Sequence, residues 1–240
     1  MLQSARHEES CGLDGMTEIL DSPTAARHIR ALVLEMSRRG RAAHLGSALS
    51  CADMLAVAYW NGLKLDPEAA DDPERDRLIL SKGHAAMALY ATLALRGFFP
   101  LKDLEGFNAD GGSLPEHPGP HCAPGVEAAT GSLGHGLSLG AGMALAGRLE
   151  RLAYRVVVIM SDGECNEGSV WEAALFAAAH RLGRLLALVD YNKWQATGRS
   201  NEVLALAPLC DKWRSFGWDA VEADGHDHAG LSAIMRAPTK

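Results

Sequence analysis

Arg155-Val-Val-Val-Ile-Met160, then Ser161-Asp-Gly-Glu164, then Glu167-Gly-Ser-Val-Trp-Glu-Ala-Ala-Leu-Phe-Ala-Ala-Ala-His180, then Leu185-Leu-Ala-Leu-Val189 and Asp190-Tyr-Asn-Lys-Trp194: the reading of this stretch decides the fold. The first and fourth pieces are apolar, β-branched or leucine-rich runs of strand length. The third is alanine-rich and amphipathic, with Glu where a helix begins, so it reads as a helix. Strand, helix and strand in this span predict a βαβ unit, whose two strands run parallel. Their carboxyl ends then emerge on one edge of a sheet, about 5 Å apart if they are neighbours. Asp162 and Asn192 would face each other there.

That edge is where open parallel sheets bind ligands. A carboxylate, an amide oxygen and nearby carbonyls are hard donors suited to magnesium, with calcium or manganese as substitutes. Gly163 lets the backbone approach a phosphate, and the helix that follows offers its positive end. The residues alone therefore predict a metal–diphosphate site. The competing reading makes Asp162 a helix-entry cap and Asn192 a turn residue.

With 240 residues, 48% of them hydrophobic, the chain is long enough for one large core. Its net charge is −7 with no long basic run, which argues against nucleic acid. Cys11, Cys51, Cys122, Cys165 and Cys210 are scattered and never form C-x-x-C, which predicts neither a disulfide framework nor a zinc ribbon. No apolar run reaches membrane-spanning length, and the polar first residues lack a signal-peptide core, so a cytoplasmic location is expected.

Residues 1–20 show no periodicity and are expected to be a mobile extension; residues 21–240 read as one domain, short at its C-terminus. Ser22-Pro23-Thr24 opens a helix through Arg39, with Ile29, Leu32, Val33 and Met36 inward and Gly40 ending it. His44 to Ser47 reads as a loop, Ser50 to Trp60 as a helix and Arg77 to Leu80 as a short buried strand. Ser81-Lys-Gly-His84 follows that strand as the Asp162 loop follows its own, before a helix from Ala85 to Arg96. A helix from Lys102 to Phe107 leads into a long Gly-, Pro- and His-rich loop through Cys122. Gly131-Ser-Leu-Gly-His-Gly136 opens a helix to about Arg151 and presents several backbone N–H groups. It is not the dinucleotide fingerprint. Pro208 to Phe216 is expected to be helix, Trp218 to Glu222 a strand, and Ala229 to Met235 a helix.

Several of these pieces together resemble the transketolase family. Asp162-Gly163, Glu167-Gly168 and Asn192 are similar to its thiamine diphosphate signature, with Ser161 where Gly is usual. Ala43-His44-Leu45-Gly46 resembles its Gly-His-Pro-Gly, Ser81-Lys-Gly-His84 its Ser-Lys/Asn-Gly-His, Glu116-His117-Pro118 its Gly-His-Pro, and Gly131 to Gly136 its Gly-Pro/Ser-Leu-Gly-Gln-Gly. The similarity runs over roughly residues 22 to 236. It implies an α/β fold, a parallel sheet with helices on both faces that binds thiamine diphosphate.

It further implies that Asp162, Asn192 and the carbonyl of Trp194 ligate magnesium. Gly131, Leu133, Asp162, Gly163, Glu167 and Asn192 would contact the cofactor, and His44, His84 and His117 would line the channel to its reactive ring. Glu167 and Glu172 correspond to acids that link two active sites in a carboxylate relay; dipole complementation is the plain alternative. The implied activity is transfer of a two-carbon ketol unit from a ketose to an aldose. The resemblance implies a second domain that holds the pyrimidine and supplies an activating Glu, expected here on a C-terminal partner chain, with two copies of each chain. A split enzyme taking a pyruvate-like donor for acyl transfer, and a non-catalytic cofactor-binding remnant, are the alternatives. His121, His135, His226 and His228 are expected to be structural. A zinc site from Glu116, His117, His121 and Cys122, and a hydrolase elbow at Ser138, are disfavoured because neither has the spacing or preceding strand it needs.

Overall fold

A computed structural model describes residues 20–237; the extension expected for residues 1–20 lies, Leu20 apart, outside the described residues. The central sheet has three parallel strands, β1 (Arg77–Leu80), β2 (Val156–Ser161) and β3 (Leu185–Asp190), in the order β1-β2-β3. All six residues of β2 are buried, as a strand covered on both faces requires. Their alternation divides the core. Val157 and Ile159 join Leu78 and Leu80 on one face, whereas Val156, Val158 and Met160 join Ile79 on the other.

The first face is covered by α1 (Ser22–Gly40), α3 (Ala52–Val57) and α4 (Ala86–Leu95). Helix α1 starts where the Asp21 carboxylate accepts the Thr24 N–H at 2.9 Å, and it buries Ile29, Val33 and Met36. Helix α4 is buried almost throughout, which explains its lack of a polar face. The second face carries α5 (Gly136–Leu149), α6 (Gly168–Ala179) and α8 (Leu209–Ser215). Gly140 lets α5 sit on the sheet, since a Cβ there would lie 2.6 Å from Val158 Cγ2. Helices on both faces of a parallel sheet are what the sequence predicts.

Four expectations fail locally. His44 to Ser47 is not a loop: α2 (Leu45–Ser50) begins at Leu45, with His44 in a left-handed conformation (φ 64°) whose carbonyl accepts the Ser47 and Ala48 N–H groups. The helix expected from Ser50 to Trp60 is correspondingly divided into α2, α3 and a wide turn at Ala58–Gly62. Leu101–Gly106 is a 3₁₀ segment, not an α-helix. Trp218 to Glu222 has no regular secondary structure and pairs with no strand among the described residues. Its carbonyl at Ala220 is taken by the Arg214 guanidinium (3.1 and 2.7 Å), while Trp218 packs on Trp213 and donates to Ala174 O at 3.0 Å. Trp218 is there to anchor the segment on the second face, not to form part of a sheet. The sequence reading also missed a two-residue hairpin, β4 (Trp194–Gln195) with β5 (Gly198–Arg199), and the short α7 (Ser200–Val203) behind it.

Candidate functional site

Ser161 pairs with Asp190 at the last rung of the β2–β3 ladder. Asp162 and Asn192 therefore leave adjacent strand tips one and two residues further on. Asp162 is fully buried: its Oδ1 accepts the Gly163 N–H at 2.9 Å and its Oδ2 accepts the Ser200 hydroxyl at 2.6 Å. Burial nevertheless dominates and pushes its pKa above the usual carboxylate range, with the nearby Asp190 adding to the effect. Asn192 Oδ1 accepts the Trp194 N–H at 2.9 Å, which fixes the backbone of Trp194, whose ring lies exposed under the Arg199 guanidinium (5.3 Å).

The three histidines come from separate elements to one place. His44 precedes α2, His84 lies in the 3₁₀ turn after β1, and His117 lies in the long loop. The His44 and His84 ring centroids are 5.3 Å apart, and those of His44 and His117 are 5.9 Å apart. Burial, followed by the Lys82 ammonium and the two neighbouring imidazoles, lowers His84 to about 4. It is thus a neutral imidazole at pH 7, able to accept or donate a hydrogen bond. An NMR titration of the isolated chain is expected to give His84 a midpoint near 4; one at 6 or above would contradict this environment. Because its folded pKa lies below its unfolded value of 6.5, His84 favours unfolding as pH falls from 6.5 towards 4, and stability rises with pH across that window.

The glycine-rich turn before α5 packs against the same edge. Gly131 (φ 127°) abuts His117, since an added Cβ would lie 2.8 Å from its Cδ2. Gly134 (φ 83°) abuts Glu167 in the same way, at 2.7 Å from Glu167 Cβ. Gly83 meets backbone alone: its Cβ would lie 2.5 to 2.7 Å from Thr130 and Gly131 backbone atoms. Backbone cannot swing aside as a side-chain end can. Gly83→Ala is therefore expected to lower stability by about 3 kcal/mol, at the upper end of overpacking costs. Thermal unfolding reads this out, and an unchanged midpoint would refute the close approach.

Residues that sequence reasoning passed over hold these pieces in register. Lys82 is fully buried, with Nζ 2.5 Å from Asp190 Oδ2 and 3.0 Å from Ser47 O. Burial alone would depress its pKa, but Cys51 and Asp190 together raise it. Cys51 is itself pushed up to about 11 by burial and is neutral at pH 7, so Asp190 is the partner that matters. Asp190 also accepts the Ser50 hydroxyl at 2.8 Å, tying the loops of His44, His84 and Asn192 to one ion pair. Glu164, also fully buried, receives the Ser81 hydroxyl at 2.5 Å, the Gly134 N–H at 3.0 Å and the Ser161 N–H at 2.8 Å. The only sequence signal for these groups was charge at strand ends inside apolar surroundings.

Among the described residues no three His, Cys, Asp or Glu side chains are grouped to hold a metal, which removes the zinc reading. Glu116 instead accepts the Ala43 N–H at 3.1 Å, and Cys122 meets the Tyr90 hydroxyl at 3.5 Å. Magnesium needs fewer such ligands, and Asp162 with Asn192 and a backbone carbonyl fits its preference for oxygen. Among the described residues no cation pairs with the buried Asp162 carboxylate, and Gln195 Nε2, beside Gly163, is a buried donor with no partner. Both features fit a metal–diphosphate group. Ser138 is exposed within α5, preceded by a turn and not by a strand, which removes the hydrolase elbow. His226 and His228 bind Asp53 at 2.6 and 3.0 Å and are structural, as expected.

Residues 22–240 match the family described as transketolase, thiamine diphosphate binding domain. The chain belongs to that family. It is 45% identical to a 6-deoxy-6-sulfo-D-fructose transketolase subunit of a Clostridium species, covering 91% of this chain and 80% of the relative. It is 38% identical to an apulose-4-phosphate transketolase subunit of Phocaeicola vulgatus, over 87% and 74% of the two chains. Among solved structures, transketolase from Leishmania mexicana superposes with a TM-score of 0.85 at 28% identity, over 92% of this chain and 35% of that one. This member of the transketolase family thus spans about a third of the full-length enzyme's fold.

Proposed function

We propose that this chain is the diphosphate- and magnesium-binding subunit of a two-chain transketolase, which transfers a two-carbon ketol unit from a ketose to an aldose. The observation that carries the reading is the convergence of Asp162, Asn192 and three histidines on the carboxyl edge of one parallel sheet. The similarity to separate transketolase subunits supports a partner chain that holds the pyrimidine and supplies the activating Glu.

Asp162, Asn192 and the Trp194 carbonyl would hold the metal, and Gly163 with Gln195 Nε2 would face the diphosphate. Gly131, Leu133 and Glu167 would border the ring system. When bound, thiamine diphosphate supplies a centre that stabilises the carbanion left when a bond beside a carbonyl breaks. The chain's own task is to orient and to handle protons. His84, neutral at pH 7, can give or take one at a substrate hydroxyl or carbonyl, and His44 and His117 stand within reach of the same substrate atoms. Glu167 and Glu172 are exposed at the start of α6, beside the exposed Leu175 and Phe176. We assign that face to contact with a second copy, in an assembly holding two of each chain.

The test is reconstitution. Ketol transfer is expected from the mixture of this chain with its partner, thiamine diphosphate and magnesium, and from neither chain alone. Full transfer by the single chain, or none by an assembled mixture, would overturn the proposal.

A further inference from the structure

We propose that the cleft where α5 and α6 end is a second ligand site, for a small phosphate-bearing anion, at the amino edge of the sheet and away from the histidines. It is a cavity of about 380 Å³ walled by Arg148, Arg151, Arg181 and Arg184, with Tyr154 and Leu182 among its apolar lining. No acidic residue lines it, and none of the four guanidiniums forms an ion pair among the described residues. Arg148 donates to His180 O, and Arg184 donates to Leu152 O at 3.3 Å, which leaves each with further N–H groups. All four arginines are exposed to solvent, and in a chain of net charge −7 they concentrate positive potential in this one cleft.

Helix-end complementation is the first candidate, since cations favour helix C-termini. It is too small to account for the cluster. Two helix ends carry roughly half a negative charge each, so the cleft keeps a net positive potential. That potential favours an anion over water and counter-ions alone. Forked guanidinium donors match phosphate oxygens in pairs, and several of them can share one dianion. The half-open, local cleft suits a small molecule; a nucleic acid would call for an extended basic stripe. The apolar lining leaves room for an organic body on the phosphate.

The probes are inorganic phosphate and glycerol 3-phosphate, titrated into the intact, metal-free chain and followed by amide chemical shifts. Saturable shifts centred on Leu152 and Gly183 are expected. R151N/R181N should weaken both probes at least tenfold; Asn suits these positions because both backbones are left-handed (φ 60° and 49°). R151K/R181K, which keeps charge and fold but loses the forked donors, should weaken them about threefold. Asp162→Asn should leave binding unchanged. Tighter binding of glycerol 3-phosphate would identify an organic phosphate, and equal binding would identify phosphate itself; either supports the site. Full affinity in the lysine variant, displacement by chloride at equal ionic strength, shifts centred on residues 131–136 or 162–166, or binding of a hexaglutamate peptide but not phosphate would each overturn the proposal.

Discussion

Lys82→Met is expected to destabilise the chain by about 3–5 kcal/mol, the usual consequence of removing one partner of a buried ion pair. The reason lies less in the lost attraction than in what stays behind. Asp190 is 4% exposed, and without Lys82 it keeps only the Ser50 hydroxyl at 2.8 Å and the Asn192 amide at 3.5 Å. Two neutral donors do not replace an ammonium for a carboxylate shut away from water. The thermal midpoint should fall by about 10 °C for a domain of this size. Removing both charges, in Lys82→Met/Asp190→Leu, should recover most of that loss, because an apolar pair in a buried ion pair's place is often neutral or better. The recovered double variant then isolates the pair's other role. It would be stable, yet the strand tip bearing Asn192 would no longer be tied to the His44 and His84 loops, so its magnesium-dependent binding of thiamine diphosphate should stay impaired. A loss below about 1 kcal/mol in the single variant would mean that water reaches Asp190, and the ion pair would lose its structural meaning.

The contrast between what the sequence made legible and what it hid follows the range of the interactions. The βαβ unit was readable because strand and helix signals are local: a β-branched run, an alanine-rich amphipathic run and a leucine run within one window. Parallel pairing then placed Asp162 beside Asn192 without any side-chain detail, since topology alone determines which strand ends share an edge. The three histidines were found through motifs, but their convergence needs three loops to meet, and only the structure shows neighbouring centroids 5.3 and 5.9 Å apart. Lys82, Glu164 and Asp190 were missed because a buried charge is recognisable only with its partners, and those are up to 140 residues away in sequence. Trp218 to Glu222 misled for the opposite reason. Its apolar residues suggest a strand, but a strand also needs an edge to pair with, and an arginine occupies the carbonyl at Ala220 instead. His44 shows a third limit: a left-handed residue before a leucine starts a helix where the sequence looked like a loop.

Asp162→Asn is expected to separate stability from cofactor binding by moving them in opposite directions. A carboxyl whose folded pKa lies above its unfolded value takes up a proton on folding, so the stability it contributes at low pH is lost as pH rises through that window. Asp162 is such a group, raised chiefly by burial. At pH 7 its charge is a burden on the metal-free chain. The amide of Asn fits the same contacts: one oxygen still accepts the Gly163 N–H, and the NH₂ can donate to the Ser200 oxygen in place of accepting its proton. The metal-free variant should therefore melt at or above the wild-type midpoint. Cofactor binding should go the other way. Asn keeps an oxygen donor but removes the one full negative charge assigned to the metal, and ligand charge is a principal determinant of divalent-cation affinity. Magnesium-dependent binding of thiamine diphosphate by the assembled enzyme should weaken about a hundredfold or more, equivalent to about 2.7 kcal/mol. Calorimetry on the assembled enzyme and thermal melts of the single chain give the two readings independently. If the variant melts lower without metal, burial is not what raises Asp162. If it binds magnesium and cofactor like the wild type, the strand-tip carboxylate is not the metal ligand, and the placement of the diphosphate at this edge fails with it.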